Sequence, residues 1–193
     1  MIKNIKIELV LLTIIFVNIF VSYNFDVGLY VYFKSLNYGL GGGYLKEFFV
    51  KITEFGNSFW YFFFAVLGLV FIFFFKKFNT LDGAKFKFYK NFCFSIILYL
   101  AITGLITQVL KHLVGRARPN HTNFFEGFGF DFFSINSNFH SFPSGHTSTI
   151  FVVSLLLGSL IPKMKYFFYF VATIIAISRI VVGAHFTTDV LAG

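Results

Sequence analysis

The sequence predicts an all-α protein, a polytopic transmembrane helical bundle forming one domain over residues 1–193. Three observations predict it. The chain is 57% hydrophobic and 12% charged, with 33 phenylalanines, far more apolar side chain than the core of a soluble domain of this size requires. The apolar residues gather into stretches close to the roughly 20 residues a helix needs to cross a hydrocarbon core. Within those stretches periodicity is poor, as expected of helices that are apolar all round.

Five stretches qualify. The first, about Ile5 to Tyr23, follows Lys3 and Lys6; its exit, Val21-Ser22-Tyr23-Asn24, lacks the small-x-small pattern of a cleavage site, so it reads as an uncleaved anchor. The second runs from Phe59 to Phe75 and the third from Phe92 to Leu110. The third holds Cys93, the single cysteine, which excludes an intrachain disulfide and a thiolate zinc cluster and reads as a small apolar filler. The fourth runs from Phe142 to Ile161 and the fifth from Tyr166 to Val182. A sixth is expected to begin with Asp189-Val-Leu-Ala, where the chain stops at Gly193, so the intact protein is expected to be longer.

Lysine placement predicts the topology, because positively charged loops stay in the cytoplasm. Lys3 and Lys6, then Lys76, Lys77, Lys85, Lys87 and Lys90, then Lys163 and Lys165 all fall on one side if every stretch crosses. The opposite, extracytoplasmic side receives residues 24–58, the loop from about Arg116 to Ser141 and the segment after Arg179. The net charge of +8 is thus mostly a topology signal. No basic stripe lies on a soluble domain, so a nucleic-acid partner is unsupported and none is expected.

Against that trend, all three arginines lie on the outer side, in or beside three short polar clusters. Lys111 and Arg118 are seven apart, two helical turns, so both are expected on one face of the emerging third helix before Pro119 ends it. Pro143-Ser144-Gly145-His146 is expected to open the fourth helix, with proline in the first turn and free N–H groups beside Gly145 forming an anion cradle. His185 and Asp189 are four apart, so a helix starting near Phe186 lets the carboxylate accept a hydrogen bond from the imidazole and free the other nitrogen to attack. Each cluster has a plainer reading: basic residues snorkel at helix ends, Pro-Ser-Gly caps helices, and His-x-x-x-Asp can ligate a metal. Metal is the weaker alternative, since several cations in one pocket repel a divalent ion. The convergence of all three clusters on one side favours phosphate handling at a membrane surface.

Lys111-x6-Arg118-Pro119, Pro143-Ser144-Gly145-His146 and Ser178-Arg179-x5-His185-x3-Asp189 resemble, in order and without substitution, the three-part signature of the type 2 phosphatidic acid phosphatase (PAP2) superfamily. The segment Ile52-Thr-Glu-Phe-Gly56 is also similar to the family. The resemblance implies that Lys111, Arg118 and Arg179 clamp the phosphoryl oxygens, with Ser144 and the Gly145 N–H completing the cradle. It implies that His185 attacks phosphorus, oriented by Asp189, to give a phosphohistidine, and that His146 serves as general acid and then base. No cofactor and no metal are expected. Arg116 stands outside the signature and reads equally as a headgroup contact or an interface anchor; His112, His121 and His140 receive no role.

The expected partners are the bilayer and a membrane lipid phosphate, because Phe124, Phe125, Phe128, Phe130, Phe132, Phe133 and Phe139 line the outer loop. Lipid A, phosphatidylglycerophosphate, phosphatidate and undecaprenyl pyrophosphate all fit that description, and the loop around His140 loosely resembles lipid A phosphatases. The preference for lysine outside the clusters suggests an AT-rich bacterial genome. The expected location is the inner membrane, with the active site facing outward. The alternatives are a vanadate-dependent haloperoxidase, disfavoured by the membrane embedding, and a non-catalytic phospholipid-binding or transport protein.

Overall fold

A computed structural model describes residues 24–38, 42–78, 82–122 and 129–193, with Thr13, Val17 and Phe20. The α-helices are α1 (Asp26–Tyr38), α2 (Gly42–Thr53), α3 (Ser58–Lys77), α4 (Gly83–Val114), α5 (Gly145–Leu160), α6 (Lys165–Val181) and α7 (Thr187–Ala192), with no strand among the described residues. The all-α expectation holds. Three helical segments, Ser58–Lys77, Gly83–Val114 and Pro162–Val181, are long and apolar enough to cross a membrane. They correspond to the second, third and fifth stretches; the fourth is α5, apolar but only 16 residues long. The first stretch, Ile5 to Tyr23, lies almost wholly outside the described residues.

Local chemistry sets the helix ends. Asn57 caps α3 by accepting the Phe59 N–H at 3.1 Å, and Lys76 and Lys77 occupy the last turn, where cations meet the negative end of the helix dipole. Asp82 accepts the Ala84 N–H at 3.3 Å before α4. At 32 residues α4 is about 48 Å long, well beyond a hydrocarbon core, so Lys85, Lys87 and Lys90 in its first turns need not enter one. The helix therefore begins nine residues before the apolar stretch: hydropathy reports depth in the bilayer, whereas lysines propagate a helix well. It ends at Gly115, whose φ of 55° is the left-handed conformation of a helix-terminating glycine.

The chain divides into two compact units: Met1–Phe49, Leu110–Ser144 and Ile177–Gly193 form one; Val50–Val109 and Gly145–Ala176 form the other. In the first unit, residues after Gly115 run extended and bond on both sides. Asp131 N–H reaches Gly115 O at 2.7 Å and Ala117 N–H reaches Gly129 O at 2.9 Å; on the other side Arg118 N–H reaches Asn138 O at 2.8 Å and Ser141 N–H reaches Arg116 O at 3.0 Å. Alternation of peptide directions along an extended strand allows this double pairing. A Cβ at Gly115 would stand 1.6 Å from Asp131 O, so the junction admits only glycine. Helix α1 docks on α7, where Tyr30 meets the Phe186 ring edge-on at 6.3 Å.

In the second unit α5 packs on α3 and on the 3₁₀ turn Glu54–Gly56. Ile150, Ala172 and Ile175 form its buried cluster, with Ile52, Tyr61, Phe151 and Val171 packed around them. Only 11% of the apolar window of α3, and the same share of α4, is buried, and Phe63, Phe64, Phe71, Phe74 and Leu105 face outward. A surface of that kind is solvated by hydrocarbon, and the chain is a membrane protein.

Candidate active site

Asp189 is the hub of the first unit's polar interior. It sits at the third position of α7 and is fully buried. Its Oδ2 accepts the Phe186 backbone N–H at 2.8 Å, the bond an acidic residue makes to a helix start, and the Ser141 hydroxyl at 2.5 Å. Its Oδ1 accepts Arg116 Nη1 at 2.7 Å. Its backbone carbonyl accepts the Ser144 N–H at 2.9 Å, which ties the second signature segment to the third.

His185, also buried, faces this carboxylate with Nδ1 3.7 Å from Oδ2. That is an electrostatic contact longer than a hydrogen bond, so the expected approach of the pair is present with its bond not closed. The short α7 begins where the sequence required, one residue after Phe186. Burial pushes the imidazole down from 6.5 to about 4; the Asp189 carboxylate pulls the other way, and Lys111 and Arg179 push it further down. At neutral pH the ring is therefore uncharged.

The three cations of the signature segments, Lys111, Arg118 and Arg179, belong to the same unit. Lys111, in the last turn of α4, is buried and donates from Nζ to the His140 carbonyl at 2.6 Å. The His140 ring stacks obliquely on His112 at 4.4 Å and contacts Ser134 O through Nε2 at 2.8 Å, so the 134–140 loop is held at the end of α4. Arg118 donates from Nε to Ser137 O at 3.1 Å. It does not share a helical face with Lys111: α4 stops at Val114, and Arg118 is extended with φ −71° and ψ 153°, because Gly115 turns the chain before Pro119. Arg179, half-buried in the last turn of α6, accepts the backbone N–H of Ala184 at 3.1 Å and of His185 at 3.2 Å on its own carbonyl, linking its position to that of the imidazole.

Ser144 is fully buried in this unit, whereas Gly145 and His146 belong to the second. There Gly145 opens α5, so Pro143 stands ahead of the helix rather than in its first turn, in a turn with a cis Phe142–Pro143 peptide. Gly56 backs His146 closely: a Cβ built on that glycine would lie 2.9 Å from His146 Cβ. The structure thus brings Lys111, Arg118, Ser144, Arg179, His185 and Asp189 into one unit and sets Gly145 and His146 at the head of a helix of the other.

Sequence reasoning missed four residues. Arg116 is not an interface anchor; it is 3% exposed, ion-paired to Asp189 and, through Nη2 at 2.8 Å, to Asp26. Asp26 and Thr188 complete that network, and Ser141 fixes Asp189. The available signal was Arg116 itself, a third cation within the first signature segment, and Asp26, an acid opening a helix. Among the described residues no group of three or more His, Cys, Asp or Glu side chains is placed to hold a metal ion.

The fold has a counterpart among solved structures, and the sequence has relatives among known proteins. The crystal structure of a transmembrane PAP2 type phosphatidylglycerolphosphate phosphatase from Bacillus subtilis matches with a TM-score of 0.59, covering 93% of this chain and 87% of that one at 22% identity, a likeness of fold. A lipid A 1-phosphatase of Rhizobium etli is 34% identical over 155 residues, 77% of this chain and 65% of that protein. One of Rhizobium johnstonii is 32% identical over 148 residues, 74% and 59% respectively. Phosphatidylglycerophosphatase B of Bacillus subtilis is 32% identical over 125 residues, 58% and 56%. The chain spans about three fifths of the length of these curated relatives. The PAP2 superfamily model matches residues 92–193, a stretch that holds every signature side chain described above, and the chain belongs to that superfamily.

Proposed function

We propose that this protein is a metal-independent lipid phosphatase that works through a phosphohistidine. The observation that carries the reading is His185: a buried, uncharged imidazole with one nitrogen turned to a carboxylate, under the field of Lys111 and Arg179. Nδ1 faces Asp189, so Nε2 is the nitrogen that attacks phosphorus. Lys111, Arg118 and Arg179 take the charge that spreads over the equatorial oxygens, with Ser144 and the Gly145 N–H as further donors. His146 donates a proton to the leaving oxygen and then activates the water that frees phosphate.

A lipid is the favoured substrate because the described part of the outer loop is greasy at its surface. Phe132, Phe133 and Ile135 are 65%, 72% and 88% exposed, on the segment that pairs through Gly129 and Asp131 with Ala117 and Gly115, either side of Arg116, and that carries Ser134. Such a rim suits a phosphate whose tails remain in the bilayer at the extracytoplasmic face of the inner membrane. Lipid A 1-phosphate is the first candidate, since two relatives bearing that name align over about three quarters of the chain. Phosphatidylglycerophosphate is the second.

Phosphate release by the detergent-solubilised protein, against both lipids, phosphatidate and undecaprenyl pyrophosphate in excess EDTA, tests the proposal. Turnover that persists in EDTA and disappears in His185→Ala is the expected result. Turnover that requires a divalent ion, or survives His185→Ala, overturns it.

A further inference from the structure

The polar interior of the first unit holds a second carboxylate that the phosphatase reading does not use. Asp26, at the start of α1, is 1% exposed. Its Oδ2 accepts Arg116 Nη2 at 2.8 Å, its Oδ1 accepts the Thr188 backbone N–H at 3.0 Å, and the Thr188 hydroxyl also donates to it. The other guanidinium nitrogen of Arg116 reaches Thr188 Oγ1 at 2.6 Å and Asp189 Oδ1 at 2.7 Å, while its plane lies over the Phe186 ring with Cζ 4.3 Å from the centroid. Three fully desolvated charges therefore stand in a row, Asp26, Arg116, Asp189, and the last faces His185.

Stability alone is a poor explanation for such a row. Each buried ion gives up its hydration at a large cost, and apolar residues of similar volume often replace a buried ion pair without loss. The charge count gives a better one. Arg116 and Asp189 alone form a neutral pair, which presents little field to a neighbouring ring. With Asp26 on the other side of the guanidinium the row carries a net single negative charge, and Asp189 keeps the field that stabilises positive charge arriving on His185. The geometry acts the same way: Arg116 is held from both ends and Thr188 is bonded by both of its partners, so Asp189 cannot rotate away from the ring without breaking several bonds at once.

We infer that Asp26 and Arg116 are positioning residues for the proposed reaction, holding Asp189 in place and leaving it net negative toward His185 as the nitrogen–phosphorus bond forms. In that step Nε2 forms the bond to phosphorus, the bond to the leaving oxygen breaks, and the ring keeps its Nδ1 proton. The positive charge created on the ring is the one Asp189 balances. The inference rests on the phosphatase reading.

The test compares Asp26→Asn, Arg116→Lys and Arg116→Ala in the full chain, assayed for release from the best lipid phosphate of the panel, with thermal melting to quantify the folded fraction. Asp26→Asn preserves shape and is the decisive variant. The expected result is a fall in kcat of roughly 10- to 100-fold with KM within about twofold, partly recovered in Arg116→Lys relative to Arg116→Ala. Asp26→Asn combined with Asp189→Asn is expected to be no slower than Asp189→Asn alone, since both act through one carboxylate. Folded Asp26→Asn with unchanged kcat, a change confined to KM, or additive losses in the double variant would overturn the inference. A wild-type protein that releases no phosphate from any lipid instead removes the phosphatase reading itself.

Discussion

His185 and Asp189 stand with Nδ1 and Oδ2 3.7 Å apart, and that same Oδ2 already accepts from the Ser141 hydroxyl and the Phe186 N–H. The carboxylate is therefore fixed by groups other than the ring it faces. Its contact with His185 is electrostatic and longer than a hydrogen bond. Asp189→Asn keeps the side-chain shape and removes the charge, and we expect kcat to fall about 10²- to 10⁴-fold with KM little changed, measured by steady-state phosphate release. An activity near wild type excludes any orienting or charge-balancing part for Asp189.

Acid lability follows from the buried imidazole. His185 has its ionisation pushed down from 6.5 to about 4 by burial, so the unfolded chain takes up a proton below pH 6.5 that the native protein refuses until about pH 4. Stability from this group is complete above pH 6.5 and is lost as the pH falls to about 4. The loss amounts to on the order of 3 kcal/mol. Melting curves of wild type and His185→Gln across pH 7 to 4 check it: the wild type is expected to lose more stability than the variant over that window. Parallel curves contradict it.

Gly56 offers a way to move His146 without changing it. A methyl group at position 56 meets His146 Cβ at 2.9 Å, closer than two carbons can sit, and the contact is with the root of the side chain rather than its mobile end. Gly56→Ala is expected to displace the imidazole by a few tenths of an ångström and to lower kcat about 10- to 100-fold, with a small effect on the melting temperature. Unchanged kcat removes His146 from the acid–base role.

At Gly115 two constraints coincide. The backbone is left-handed at φ 55°, and a Cβ would fall 1.6 Å from the Asp131 carbonyl oxygen. Gly115→Ala must therefore break the pairing of residues 115–117 with 129–131, and a loss of at least ~3 kcal/mol is expected in denaturant or thermal unfolding. A variant as stable as wild type shows that this segment is not anchored as described.

Much of the site was legible because its residues sit in short linear segments whose spacing is itself chemical. His185 and Asp189 share the start of one helix, and hydropathy located α3, α4, α5 and α6. Arguments from helical spacing failed where a helix ended early: the two-turn relation of Lys111 to Arg118 vanished once Gly115 turned the chain. Helices α1 and α2, at 13 and 12 residues and of mixed polarity, left no hydropathy signal that marks a span.

The sequence by itself determined the helical class, the apolar segments and the kinds of group available for phosphate chemistry, because each is a sum over neighbours in the chain. Only the tertiary structure decided which charges would pair. Arg116 meets Asp189 across 73 positions and Asp26 across 90, and Ser141 meets Asp189 across 48. Those partners are selected by desolvation, which forces each buried ion to find its complement wherever the packed fold brings one, and no local pattern records that choice.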